Sequence, residues 1–144
     1  MIKSPNLMSL AEQAKLFREG KLTAVNNVKS HLEIINNLNP QLNSFITVDS
    51  KGALEQAKNL DKSRNNGDKL GPLSGAILGV KDSIPTKDIT TTNNSRLLKN
   101  WNPKRDASVI SRLKKAGAII IGKTNLNEFG WSRPSELDLN PPPW

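Results

Sequence analysis

The sequence predicts an α/β fold in which N-terminal helices precede the first strands of a mixed sheet joined by a βαβ crossover. Three observations carry this expectation. Apolar residues recur at spacings of three and four through the first seventy positions, two short apolar runs lie at 76–80 and 118–121, and an amphipathic helical stretch separates those runs.

Leu7, Leu10, Ala11, Ala14 and Leu16 or Phe17 mark a first helix that stops near Gly20. Thr23 suits the cap of a second helix, whose stripe is Val25, Val28, Leu32 and Ile35. Asn39-Pro40 should end that helix, because the residue before a proline is biased out of the helical region. His31, beside the stripe, reads as a surface or core-edge residue. An extended piece at 44–48 comes next, then a third helix from about Gly52 to Ser63, then an exposed loop of turn formers at 64–72. The run Ala76-Ile77-Leu78-Gly79-Val80, followed by Lys81-Asp82, has the form of a buried strand ending at the surface. Asp106 can cap a helix with the stripe Val109, Ile110, Leu113 and Ala116; Lys114 and Lys115 fall in its last turn and Gly117 suits its stop. Ala118-Ile119-Ile120-Ile121 supplies the second strand. A strand, connection, helix and strand form a βαβ unit, so the two strands should be parallel with a right-handed crossover. The chain thus divides into a mainly helical part at 1–70, a strand, helix and strand part of the core at 71–130, and a Pro-rich end at 131–144.

The 144 residues are enough for one domain. Apolar residues make up 35%, and the nine glycines raise the set to about 41%, below the ~45–50% of folded domains. Either the core is small or it leans on surface outside this chain. The absence of cysteine excludes disulfides, thiolate metal sites and cysteine nucleophiles, and a single histidine argues against an imidazole metal centre. No apolar run approaches the ~18 residues of a membrane helix, and the first ten residues lack a secretory apolar stretch, so a soluble cytoplasmic protein with no membrane partner is expected, a mitochondrial one being the alternative. The net charge of +8 permits an anionic partner. In the densest basic stretch Arg96, Lys99, Lys104, Arg105, Arg112, Lys114 and Lys115 face only Asp106. Trp101 is its single aromatic, too few for a stacking platform, and a solvated face is favoured over a nucleic-acid or acidic partner.

Gly117 to Thr124 fits the pattern G-x-x-x-x-G-K-[ST] of a phosphate-binding loop, but a helix precedes the first glycine and the four intervening residues form an apolar strand. Their N–H groups would serve a sheet ladder instead of a phosphate. No nucleotide cofactor is expected there. Lys81 and Asp82 are the site candidates by position, because open α/β sheets bind ligands at the carboxyl ends of their strands. A lysine acts as a general base only when its neutral form is populated, with a nucleophilic hydroxyl in reach. Ser74, Ser83, Ser95 and Thr90-Thr91-Thr92 lie near in sequence, none in a glycine-rich elbow. On composition and spacing alone, a solvated Lys81 paired with an acid stands beside the catalytic alternative and is favoured over it.

Several words occur in a fixed order: Gly71-Pro72-Leu73-Ser74-Gly75-Ala76-Ile77-Leu78-Gly79-Val80-Lys81-Asp82, then Thr91-Thr92 and Ser95, then Asp106-Ala107-Ser108-Val109 and Leu113-Lys114-Lys115-Ala116-Gly117-Ala118, then Gly122-Lys123-Thr124-Asn125 and Asn127-Glu128-Phe129. Upstream stand Gly20-Lys21-Leu22-Thr23, Asn39-Pro40-Gln41-Leu42-Asn43-Ser44-Phe45, and Ala53-Leu54 to Ala57 with Asp61. In this order and spacing the chain resembles the amidase signature family from about residue 8 to 130. Ile77, where many relatives have Pro, and Ser83, where many have Asn, depart mildly from that pattern.

The resemblance implies an incomplete amidase-signature fold and amide chemistry by a Ser-cisSer-Lys triad, with Lys81 as the matching lysine and no metal or organic cofactor. It implies a small-molecule amide as substrate, and an amidotransferase-like member would add a partner subunit or a tRNA. Both family serines lie in a Gly/Ser-rich segment after the Glu-Phe word, whereas no glycine follows Gly130 here and neither Ser132 nor Ser135 stands among glycines. An N-terminal amidase fragment, inactive alone as a hydrolase, is therefore expected. The competing expectations are a noncatalytic binding module using the basic face, and a truncated gene-model remnant.

Overall fold

The computed structural model of the protein describes residues 4–131 and 138–143. In chain order it contains α1 (Leu10–Arg18), α2 (Ala24–Leu42), β1 (Phe45–Val48), α3 (Ser50–Asn65), β2 (Ile77–Lys81), α4 (Ser108–Lys115) and β3 (Ile119–Thr124), with 3-10 turns at Pro5–Leu7, Arg96–Leu98 and Glu128–Gly130. The first three helices start where a side chain accepts from the first turn. Ser9 and Glu12 form a reciprocal capping box on α1. The Thr23 hydroxyl accepts from the Asn26 amide at 3.1 Å, and Asp49 accepts from the Gly52 amide at 3.0 Å. Asp61, on α3, also lies across the start of α2, its carboxylate accepting from the amides of Ala24 and Val25 at 2.8 and 3.1 Å. This places an anion on the positive end of a 19-residue helix and ties two helices together.

Two expected boundaries are corrected. Pro40 does not end α2, which runs on to Leu42. Proline in the last turn removes only one backbone donor, and that turn is held from outside. The Asn39 carboxamide accepts from the Phe45 amide at 2.7 Å and donates to the Phe45 carbonyl at 3.0 Å, while Asn43, at φ 50°, donates from its N–H to the Asn39 carbonyl at 2.8 Å. Asp106 does not cap α4, whose cap residue is Ala107 with no side-chain bond. Its carboxylate instead accepts from the Lys87 amide at 2.7 Å and from the Lys114 ammonium at 3.0 Å. Gly117, at φ 92°, closes α4 as expected.

The sheet order is β1-β3-β2, with β3 antiparallel to β1 and parallel to β2. The sheet is therefore mixed, and β2, α4 and β3 form the expected βαβ unit. Helices α1 to α3 cover one face through Phe17, Val28, Leu32, Ala53 and Ala57 against Ile77, Ile119 and Ile121. On the other face Val80 and Ile120 pack with Ile89 and Ile110. Val109 departs from the expected α4 stripe and is 49% exposed. The helix-side core mixes large side chains with alanines at 24, 53 and 57. It also admits a polar pair: Asn27 donates to the Gln13 side-chain oxygen at 2.9 Å and to the Gly75 carbonyl at 2.8 Å, and the same Gln13 oxygen receives the Ile77 amide at 3.1 Å.

The parallel register slips by one residue on β3, so that Leu78 faces Ile120 while Gly79 faces Gly122. This bulge changes which side chains point where. Ile119 and Ile121 face the helices, and strict alternation would send position 123 the same way. Beyond the bulge Lys123 lies opposite Val80, on the α4 face. Gly122 is required at the bulge because a Cβ there would come within 2.3 Å of the Thr47 carbonyl oxygen. Gly122→Ala should therefore cost about 1–3 kcal/mol, the usual range for overpacking. Urea denaturation of the purified chain measures this, and an unchanged midpoint would show that β1 can move aside.

Candidate functional site

Lys81 is the last residue of β2, one position earlier than a side chain just past the strand, and it pairs with Thr124 at the end of β3. Its side chain is exposed. The expected pairing with an acid is not found: no carboxylate among the described residues forms an ion pair with it. The ammonium lies against the turn at 128–130, close enough that a Cβ on Gly130 would stand 3.2 Å from Nζ. Gly130 and Phe129 both have positive φ there, at 70° and 52°.

The neighbouring Asp82 points the other way and is fully buried. Its Oδ2 accepts from the Thr92 amide at 2.9 Å and from the Thr92 hydroxyl at 2.5 Å, and its Oδ1 lies 4.0 Å from Lys123 Nζ. Lys123 is fully buried as well. Its ammonium donates to the Ile84 carbonyl and, at 3.0 Å each, to the hydroxyls of Thr86 and Thr91, so that all three N–H groups are used. Burial pushes the Lys123 pKa down to about 8, with the Asp82 charge opposing that shift. Sequence reasoning misses Lys123 because its Gly-Lys-Thr setting invites comparison with a phosphate loop and, once that is set aside, gives no other signal. The segment is strand β3, which extends to Thr124 and uses its backbone in the ladders with β1 and β2.

The loop 92–95 connects this buried pair to the surroundings of Lys81. The Asn93 amide donates to the Asp82 carbonyl at 3.2 Å, and the Asn93 carbonyl accepts from the Phe129 amide at 2.8 Å. Buried Asn94 receives the Asn140 amide on Oδ1 at 2.7 Å and donates from Nδ2 to the Leu126 carbonyl at 2.8 Å. The Ser95 hydroxyl donates to Glu128 at 2.6 Å. Of the hydroxyls considered as nucleophiles, Thr91 accepts from Lys123, Thr92 donates to Asp82 and Ser95 donates to Glu128, whereas the Ser74 Oγ is buried without a hydrogen-bond partner. Ser132 and Ser135 lie outside the described residues. Among the described residues no cluster of acidic or imidazole side chains is arranged to hold a metal ion, and no helix is long and apolar enough to cross a membrane. Arg96, Lys99, Lys104, Arg105, Arg112 and Lys115 are exposed, whereas Lys114 is paired with Asp106.

The Amidase family profile matches residues 26–138. The glutamyl-tRNA(Gln) amidotransferase A-subunit of Streptomyces coelicolor is 41% identical over 140 residues, which cover 95% of this chain and 28% of that protein. Its namesake from Symbiobacterium thermophilum is 43% identical over 131 residues, covering 90% of this chain and 27% of that one. Among solved structures, the native peptide amidase of Stenotrophomonas maltophilia superposes with a TM-score of 0.80 at 32% identity, covering 85% of this chain and 26% of that enzyme. A 6-aminohexanoate cyclic dimer hydrolase gives a TM-score of 0.83 over 99% of this chain and 28% of its own; at 20% identity it bears on the fold alone. The chain therefore spans less than a third of the length of these relatives.

The pKa of Lys123 sets a pH dependence of stability. An ordinary lysine titrates near 10.5, so between pH 8 and 10.5 the unfolded chain holds a proton that the folded chain has released. Stability should rise with pH across that window, by about 3 kcal/mol from this group. A Lys123 Cε resonance titrating near pH 8, and loss of the rise in urea denaturation of Lys123→Met, are the expected results; a midpoint above pH 10 would contradict them.

Proposed function

The chain belongs to the Amidase family, and we propose that it forms the N-terminal portion of an enzyme that breaks or transfers amide C–N bonds, with Lys81 as the proton acceptor. The observation that carries the reading is the setting of Lys81. It stands at the carboxyl edge of a parallel strand pair, unpaired by any described carboxylate, on a backbone fixed by the buried Asp82 that follows it. In this reading Lys81 takes a proton from a serine held in a cis peptide. That serine in turn deprotonates a nucleophilic serine, whose oxygen attacks the amide carbonyl to give a seryl ester as the amine leaves with a proton. Water or an acceptor amine then opens the ester. A lysine base must be neutral, which dry surroundings favour. Because Lys81 is exposed here, those surroundings would come from polypeptide packed over the sheet end.

Both serines and the oxyanion donors belong, in this reading, to sequence beyond the Glu128-Phe129 word, and a small-molecule amide is the substrate class. The relatives named as amidotransferase subunits extend the reading to a partner subunit or a tRNA. The exposed cations between 96 and 115 would offer such a partner a face of suitable charge.

Two measurements test the proposal. The purified 144-residue chain should hydrolyse amides no faster than Lys81→Ala. A chimera carrying residues 8–130 in place of the matching part of the Stenotrophomonas maltophilia peptide amidase should be active, and Lys81→Ala in that chimera should lower kcat by at least about a hundredfold, as loss of a general base does. Retained activity in the substituted chimera would overturn the assignment of Lys81.

A further inference from the structure

Asn94 is fully buried and has a left-handed backbone, φ 53°. A non-glycine residue seldom adopts that conformation without a compensating interaction. Here the compensation is unusually complete. The Asn94 backbone amide donates to the Thr92 hydroxyl at 3.0 Å, and its carbonyl accepts from the Leu139 amide at 2.9 Å. Its carboxamide Nδ2 donates to the carbonyls of Leu126, at 2.8 Å, and Asn140, at 3.2 Å, while Oδ1 accepts from the Asn140 amide at 2.7 Å and the Asn140 side chain at 2.9 Å. One residue therefore joins three separate stretches of chain: its own loop, the segment just after β3, and the segment 138–140.

Two of these stretches lead to Lys81. The loop is anchored to Asp82 through Thr92. Its Asn93 and Ser95 hold the 128–130 turn, whose Gly130 lies against the Lys81 ammonium. From this loop it is the Asn94 side chain that reaches Asn140, from which the chain continues.

We propose that Asn94 is a positioning residue of the Lys81 site, its carboxamide fixing the path of the chain through Asn140 relative to Lys81. The proposal rests on the reading of Lys81 as the functional lysine. In that reading the groups that must meet Lys81 arrive on polypeptide beyond Asn140, so the clamp determines where that polypeptide sets out. Loss of the carboxamide would loosen the backbone at Asn140, while Glu128 still holds Asp138, the Asn94 carbonyl holds Leu139 and Asn125 holds Pro141; the sheet would stay intact, because β2 and β3 pair with each other and not with 138–140.

Amide hydrogen exchange on the 144-residue chain tests the clamp without requiring activity. Asn94→Gly keeps the positive φ at no steric cost and removes only the side chain. Exchange at Asn140, whose amide loses its acceptor, should accelerate about tenfold or more, while the β2 and β3 amides stay as protected as in the unsubstituted chain. Asn94→Asp, which retains an acceptor for the Asn140 amide, should restore part of the protection. A dimethyl-Lys81 resonance, introduced by reductive methylation and assigned with Lys81→Arg, should shift in Asn94→Gly. Unchanged exchange at Asn140, or acceleration in step with the strands, would overturn the proposal. Loss of activity at Lys81 is a separate outcome, read in the chimera, so that failure of the clamp and failure of the amidase reading are told apart.

Discussion

A buried ammonium and a buried carboxylate organise the half of the molecule that carries the candidate site. Lys123 and Asp82 are both fully buried, yet their charged atoms stand 4.0 Å apart, beyond a direct hydrogen bond. Removing two such charges from water costs several kcal/mol each, and attraction at that distance offsets only part of it. The rest of the compensation comes from oriented dipoles: a carbonyl and two hydroxyls around Lys123, an amide and a hydroxyl around Asp82. All of these dipoles lie between residues 84 and 92. The long connection between β2 and α4 carries little regular structure, and the two charges fix its course because each needs groups that this connection supplies.

The bulge at Gly122 makes that arrangement available. Two lysines lie on adjacent strands near the same sheet edge, and their fates are opposite: Lys81 is exposed beside a glycine turn, and Lys123 is enclosed among threonines. With strict alternation Lys123 would point toward the helix-side cluster of Phe17, Val28 and Ile121, an apolar setting that would strand an ammonium. The extra residue on β3 carries it to the other face. The same shift leaves the Thr124 side chain near Gly79, where a Cβ would meet it at 2.9 Å, so glycines on both strands accommodate the slip. The division of labour between the lysines thus follows from backbone register: Lys123 binds the structure together, and Lys81 is left chemically available.

Most of the fold was legible in the sequence because it depends on periodicity and local chemistry. The stripe Val25, Val28, Leu32, Ile35, the Thr23 cap, the runs at 76–80 and 118–121 and the Gly117 stop all act within a few residues of themselves. What failed depended on more distant groups. Pro40 stays helical because Asn39 is held by Phe45 across a turn, and Asp106 leaves its helix because Lys87 and Lys114 compete for its carboxylate. The site divides in the same way. Lys81 could be marked by its place at a strand end, while Lys123 and Asn94 could not, since the partners that define them lie more than 30 positions away. A lysine after three isoleucines and a glycine reads as the end of a strand, and only the bulge makes it the centre of a buried network.

The same network explains why residue 82 is an acid. A neutral asparagine at that position could still accept from the Thr92 amide and hydroxyl, so hydrogen bonding alone does not demand a charge. Lys123 does. Its three donors are satisfied by neutral oxygens, which leaves a net positive charge in the interior with Asp82 Oδ1 as its ion-pair partner, an oxygen that has no hydrogen-bond donor of its own. That oxygen is therefore held by field rather than by contact. Its orientation toward the ammonium, at the expense of a hydrogen bond, is what keeps the lysine charge in place, and the Asp82 backbone, whose N–H donates to the Thr124 carbonyl at 3.0 Å, transmits the constraint to the strand end where Lys81 stands.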